Sequence, residues 1–175
     1  MGLVLLGLAL VALVRRPVVR SGPEAVRGQR AFRVPRSSAV VEIAAMLGAG
    51  SFVARSRVTG WEIDGRPADP ATADALGDLR DALVRLRALD AFRPRDRSTY
   101  GLERPRGAIT LRTADVGARR LVLGDLNAAG SAVYARRDHD PRVLQLGTQL
   151  LSQLERVLYH RDRTRPPDRA PATPW

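Results

Sequence analysis

Four short apolar runs in the second half of the chain restrict its architecture more than any other feature. They are "AITLRT" (Ala108 to Thr113), "RRLVLGD" (Arg119 to Asp125), "SAVYARR" (Ser131 to Arg137) and "RVLQLG" (Arg142 to Gly147). Each has the length of a strand and carries the β-branched and aliphatic residues that suit a pleated surface. The breaks between them, "ADVGA", "LNAAG" and "DHDP", are short and rich in Gly, Asn and Asp, which tolerate the dihedral angles of tight turns. Such breaks make hairpins, so the runs predict an antiparallel meander.

The first half adds matching pieces. "AVVEIAAM" (Ala39 to Met46) reads as a strand, "GAG" turns the chain, and "SFVARSRV" (Ser51 to Val58) alternates well enough to pair back. "WEID" (Trp61 to Asp64) is a further short strand with Gly65 in its turn. Asp69 is a natural helix N-cap, and Pro70 at the first helical position lacks only an N–H that has no partner there anyway. Leu76, Leu79, Leu83 and Leu86 then recur at helical spacing, with Ala82 and Leu89 widening the stripe, so the segment through Phe92 reads as one helix laid on a sheet. Asp81 and Arg85 form an i,i+4 pair on its other face. A second helix is expected from Thr148 to about His160, with Leu150, Leu151, Leu154, Val157 and Leu158 on one side. The predicted fold class is α+β: a mostly antiparallel sheet of hairpins and a meander, packed by two helices and preceded by an N-terminal apolar helix.

That apolar helix is "MGLVLLGLALVALV", uncharged over residues 1–14 and followed by Arg15, Arg16 and Arg20. Fourteen helical residues reach about 21 Å, short of a hydrocarbon core of about 30 Å. Arginine snorkelling, Pro17-Val18-Val19 and bilayer thinning can make up part of the difference. A membrane anchor over 1–19 is the favoured reading. A signal-like segment and a core helix are the alternatives, although a basic region before the apolar run is missing. The anchor reading makes the chain a single-pass membrane protein in contact with lipid, with the side of its soluble domain open. Residues 20–37 then read as an Arg-rich linker, 38–160 as the α+β domain, and 161–175 as a disordered, basic, Pro-rich tail.

Charge sharpens this division. The formal net charge is +11, and all 29 basic residues are Arg. Residues 15–36 contribute +6 and residues 161–175 contribute +2, leaving about +3 for the middle. The surplus therefore sits in the flanks. A soluble basic module binding nucleic acid or anionic lipid through those flanks is the second functional reading. Nucleic acid is disfavoured because few aromatics are present to interleave with the cations. With no cysteine, disulfides, thiolate metal sites and thiol catalysis are excluded.

Catalytic sets are poorly supported. Asp125, Ser131 and His139 are the residues from which a triad could be drawn, but Ser131 opens a strand and has no strained nucleophile elbow. "DLNAAG" (Asp125 to Gly130) lacks the alternating oxygen ligands and closing Glu of a calcium loop and reads as a turn. Asp138 and Asp140 around His139 read the same way, and His139 and His160 stand in no ligand pattern. Gly48-x-Gly50 lacks the third glycine and following helix of a dinucleotide fingerprint. No catalytic, cofactor or metal residue is assigned.

The order of the pieces carries more information than any one of them. Trp61 follows a hairpin, Pro67-Ala68-Asp69 leads into the Leu-rich helix, and then come Tyr100-Gly101-Leu102, Pro105, Leu123-Gly124 and Tyr134-Ala135-Arg136. This series, over about Phe32 to Arg163, resembles the bacterial domain of unknown function 4340. The resemblance implies an N-terminal anchor, an α+β domain without known catalytic residues, and an auxiliary role beside gliding-motility-type ABC transporters, whose subunits become the expected partners. Within it, Tyr100 to Pro105 reads as a structural joint. Gly101 allows the turn, Tyr100 and Leu102 pack down on the helix end, and Pro105 launches the next strand.

Overall fold

The computed structural model describes residues 28–164 apart from residues 36, 37, 49, 95 and 97. Within them the chain forms β1 (Val40–Leu47), β2 (Gly50–Arg57), β3 (Gly60–Ile63), β4 (Arg66–Pro67), α1 (Pro70–Arg85), β5 (Asp90–Phe92), β6 (Gly107–Thr113), β7 (Gly117–Leu126), β8 (Ala132–Arg137), β9 (Val143–Gly147) and α2 (Gln149–Thr164). The strands make one sheet in the order β4-β3-β2-β1-β6-β7-β8-β9-β5. Every pairing in it is antiparallel. The expected sheet of hairpins and a meander packed by two helices is therefore present. The N-terminal apolar helix and its flank, Arg15, Arg16 and Arg20, lie outside the described residues. No helix among the described residues is long and apolar enough to cross a membrane.

Strand period decides which face is covered. Ile43 and Ala45 of β1, Phe52 and Ala54 of β2, Ile109 and Leu111 of β6, and Leu121 and Leu123 of β7 alternate onto one face. There they meet Leu76, Leu79 and Leu83 of α1 and Leu150, Leu154 and Val157 of α2 in a single apolar cluster. The opposite face over β1–β3 and β6 carries cross-strand ion pairs, Arg57–Glu62 at 2.8 Å, Arg55–Glu42 at 2.9 Å and Arg112–Glu42 at 3.5 Å. Over these strands one sheet face is thus dry and the other wet, a common condition of an antiparallel sheet.

Asp69 caps α1 as the sequence predicts, its carboxylate accepting from the Ala71 and Thr72 amides at 3.1 and 3.2 Å and from the Thr72 hydroxyl. The Asp81–Arg85 pair also forms, at 3.2 Å. The helix does not run to Phe92. It stops at Arg85, where Leu86 turns to an extended ψ of 123° and its N–H donates to the Leu83 carbonyl. Asp90–Phe92 instead pairs with β9 as an edge strand, leaving Leu89 56% exposed. The leucine period outlasts the helix because sheet pairing offers residues 90–92 hydrogen bonds that one more turn would forfeit.

A second difference concerns residues 28–35, part of the segment read as linker. Ala31, Phe32 and Val34 are buried in the main core. Their backbone is fastened to the end of α1 by Ala31 N–H to Leu86 O, Ala88 N–H to Gln29 O and Gly28 N–H to Ala88 O, at 2.8 to 2.9 Å. The folded unit therefore includes Gly28 onward. At the other end α2 extends to Thr164, four residues beyond the expected His160.

Candidate functional site

The residues of the ordered series fall into two groups. Trp61 packs half-buried on the core from β3, Pro67 lies on the short edge strand β4, where a missing N–H is tolerated, and Asp69 is the cap of α1. Pro105 is exposed, two residues before β6. Tyr100, Gly101, Leu102, Gly124 and Tyr134, by contrast, come together at one point of the sheet.

That point is an irregularity in β7. Leu123 pairs with Ala135 and Leu126 with Val133, so β7 carries one residue more than β8 between the two pairs. Gly124 and Asp125 lie in this bulge. The segment Ser98–Tyr100, a single 3-10 turn, and the following Gly101-Leu102 cross directly over it. A Cβ on Gly124 would stand 2.0 Å from the Tyr100 carbonyl oxygen, and one on Gly101 would stand 2.7 Å from the Asp125 amide nitrogen. Gly101 also holds a φ of +68°, which only glycine adopts without strain. The two glycines are therefore what lets strap and strand touch.

Side chains then close the contact. Leu102, Val122 and Val143 form a small buried cluster with Phe92, Tyr100 and Tyr134 around it. The three rings meet edge to face, Tyr100 to Tyr134 at 4.8 Å, Phe92 to Tyr100 at 5.3 Å and Phe92 to Tyr134 at 6.4 Å. Val122 alternates with Leu121 and Leu123 of the main core, so this cluster lies on the face away from the helices. The expectation that Tyr100 and Leu102 pack on the helix end is corrected: they pack across the far side of β7, β8 and β5. At this joint the strap lies against sheet rather than helix.

The triad candidates do not assemble. Ser131 precedes β8 and His139 follows it. Six residues of strand separate the turns by about 20 Å. Ser131 instead belongs to a turn in which the Asn127 side chain accepts from the Ser131 and Ala132 amides at 2.9 and 3.1 Å. Of "DLNAAG", Asp125 and Leu126 end β7 and Asn127 to Gly130 make the hairpin turn, with Gly130 at a φ of +66°. Among the described residues no three His, Asp or Glu side chains are grouped to hold a metal. Gly48 directly follows β1 and Gly50 opens β2, inside the β1–β2 hairpin.

What the sequence reading missed lies at the opposite end of β8. A cavity of about 760 Å³ opens there between the β8–β9 turn, the start of β7, the end of β5 and residues 31–33. Its lining includes six arginines: Arg33, Arg93, Arg119, Arg120, Arg137 and Arg142. The organising group is Asp140. Its Oδ2 receives Arg142 Nη2 at 3.0 Å and Arg137 Nη2 at 3.1 Å, with Arg33 Nη2 at 3.7 Å. Its Oδ1 accepts from the Arg142 amide at 3.0 Å and Arg142 Nε at 3.1 Å. These bonds, led by the Arg142 fork, hold the Asp140 carboxyl down at about 2. The same bond raises the Arg142 guanidinium above its ordinary value.

Arg137 is the unusual member. Its side chain is only 9% exposed, because β8 alternation sends it to the helix side beneath residues 29–34. Burial pushes its guanidinium below the ordinary range, and Asp140 partly opposes that shift. Nη1 donates to the Arg30 carbonyl at 3.3 Å, and Nη2 reaches Gln29 Oε1 at 3.5 Å. Its Nε is buried without a hydrogen-bond partner among the described residues. His139, at the tip of the turn, holds a φ of +59°, a left-handed conformation uncommon outside glycine. One carboxylate thus orders three guanidiniums and neutralises one. The signal was present in the sequence only as an acidic turn; its cationic surroundings come from segments far apart in the chain.

The chain belongs to the family described as a domain of unknown function (DUF4340), whose model matches residues 61–160. That match spans Trp61, the strap, the β7 bulge and the β8–β9 turn. No curated protein and no solved structure matches the chain.

Proposed function

We propose that this DUF4340 chain is a non-enzymatic, membrane-anchored auxiliary protein that works by recognition, associated with an ABC transporter complex. The single observation carrying the recognition half is the arginine-lined cavity, where six guanidiniums are gathered and one carboxylate orders three of them. Tethering rests on the apolar residues 1–14 and the arginines behind them. The transporter association rests on the family resemblance.

Membrane fractionation of bacteria producing the full chain tests the tether. The protein is expected in the membrane pellet after alkaline carbonate washing, and a chain without residues 1–19 is expected in the supernatant. Recovery of the full chain in the supernatant would overturn the anchor and favour the soluble basic module instead.

A further inference from the structure

We infer that the cavity at the β8–β9 turn is a binding site for a phosphomonoester dianion, held by Arg137 and Arg142 and drawn in by the arginines at its rim. The inference goes beyond the reading above and holds whether or not the chain is tethered.

The charge balance comes first. Six arginines line the cavity against Asp138 and Asp140, which leaves four positive charges when His139 is neutral. Asp140 is already engaged by three guanidiniums, so it fixes their positions and cannot neutralise them all. A preorganised cluster of this kind, with its cations held in place before a ligand arrives, loses little on ordering when an anion binds.

The second observation is independent of charge. Arg137 is more than nine-tenths buried and lines the cavity, yet its Nε–H has no acceptor among the described residues. A buried guanidinium donor is normally satisfied, so this one marks an unmet need for an acceptor beside the cavity, while Asp140, the Arg30 carbonyl and Gln29 hold the rest of the group in place. Arg119 and Arg120 at the start of β7 and Arg93 after β5 add further cationic side chains to the lining of the same space.

Size and valence narrow the class. A monoanion would leave most of the surplus charge unmet, whereas a phosphomonoester at neutral pH brings nearly two charges and three acceptor oxygens. The volume of about 760 Å³ lies in the range of small-molecule sites and leaves room for an organic body beside the phosphate. Two sources share that chemistry: a soluble phosphate ester and a phosphatidate headgroup at a membrane surface.

Calorimetric titration of the full chain with glycerol phosphate, and flotation with phosphatidylcholine vesicles with and without phosphatidate, separate the two. The expected result is saturable binding in at least one arm, with acetate at equal ionic strength failing to compete. Arg142→Gln is expected to weaken binding about tenfold or more, the scale of one charge-assisted contact. Arg120→Gln, at an exposed strand position, is expected to leave the unfolding midpoint unchanged and to weaken binding severalfold. Binding to glycerol phosphate identifies a soluble ester, and phosphatidate binding alone identifies a lipid headgroup. Absence of binding in both arms overturns the proposal. So does binding that Arg120→Gln leaves unchanged, which would place the anion on the arginine-rich flanks.

Discussion

Gly124→Ala should unfold at a clearly lower urea concentration than the natural chain, with a loss of about 3 kcal/mol. The added methyl group would stand 2.0 Å from the Tyr100 carbonyl oxygen and 3.2 Å from the Gly101 carbonyl carbon. Both obstacles are backbone, so no side-chain rotation relieves them. Either the strap lifts or the β7 bulge flattens. Lifting the strap also withdraws Tyr100 and Leu102 from Tyr134, Phe92 and Val122, and the second apolar cluster goes with them. Gly124 is not among the residues at positive φ, so the effect isolates the close approach from backbone strain. Gly130→Ala supplies the comparison. Gly130 has a φ of +66° and nothing within 4 Å of its added Cβ, so it should cost only about 1 kcal/mol of strain. Equal midpoints for the two variants would mean that strap and strand do not touch as described.

Asp140→Ala should be comparably damaging, at about 3 kcal/mol, for an electrostatic reason. Its carboxylate is 10% exposed and is the counter-ion of Arg137, whose side chain is 9% exposed. Removing it strands a buried guanidinium and lets Arg33 and Arg142 repel that group without compensation. The same carboxylate gives the chain an acid dependence. An ordinary aspartate titrates near 3.9, and Asp140 is held at about 2 in the fold. Its folded value is depressed, so its contribution is complete above about pH 4 and disappears as the pH falls through 2. The loss across that window is about 2 kcal/mol. Urea unfolding at pH 5, 3.5 and 2.5 should show this slope in the natural chain and a shallower one in Asp140→Ala. Parallel slopes would place the acid sensitivity elsewhere.

The elements legible in the sequence were those whose period and punctuation agree. The four strands of the meander, the β1–β2 hairpin and the capped start of α1 each join an apolar pattern to a turn or cap signal, and all of them form. Where one signal contradicts the other, the sequence misleads. Leu86 and Leu89 prolong the helical period past Arg85, but the hydrogen bonds of β9 capture Asp90–Phe92. Ala31, Phe32 and Val34 are hidden among Arg, Gly and Pro, with no period to mark them as core. The strap was legible as separate turn signals. That Gly101 and Gly124 interlock is a fact of tertiary approach, which spacing alone does not encode. The arginine cavity was the least legible feature. In a chain whose 29 basic residues are all Arg, no single one stands out. Arg33, Arg93, Arg120 and the pair Arg137 and Arg142 come from four separate segments that only the assembled sheet brings together.

Two separate jobs are proposed for the sheet: the residues of the strap hold it together, and the arginines at the far end of β8 take up an anion. Urea unfolding of the full chain carrying Tyr100→Ala tests that separation most directly. Loss of two edge-to-face ring contacts and of the cover over Val122 is expected to cost about 2 kcal/mol. A midpoint unchanged from the natural chain would contradict the account, because Tyr100 would then be held in place for something other than the fold.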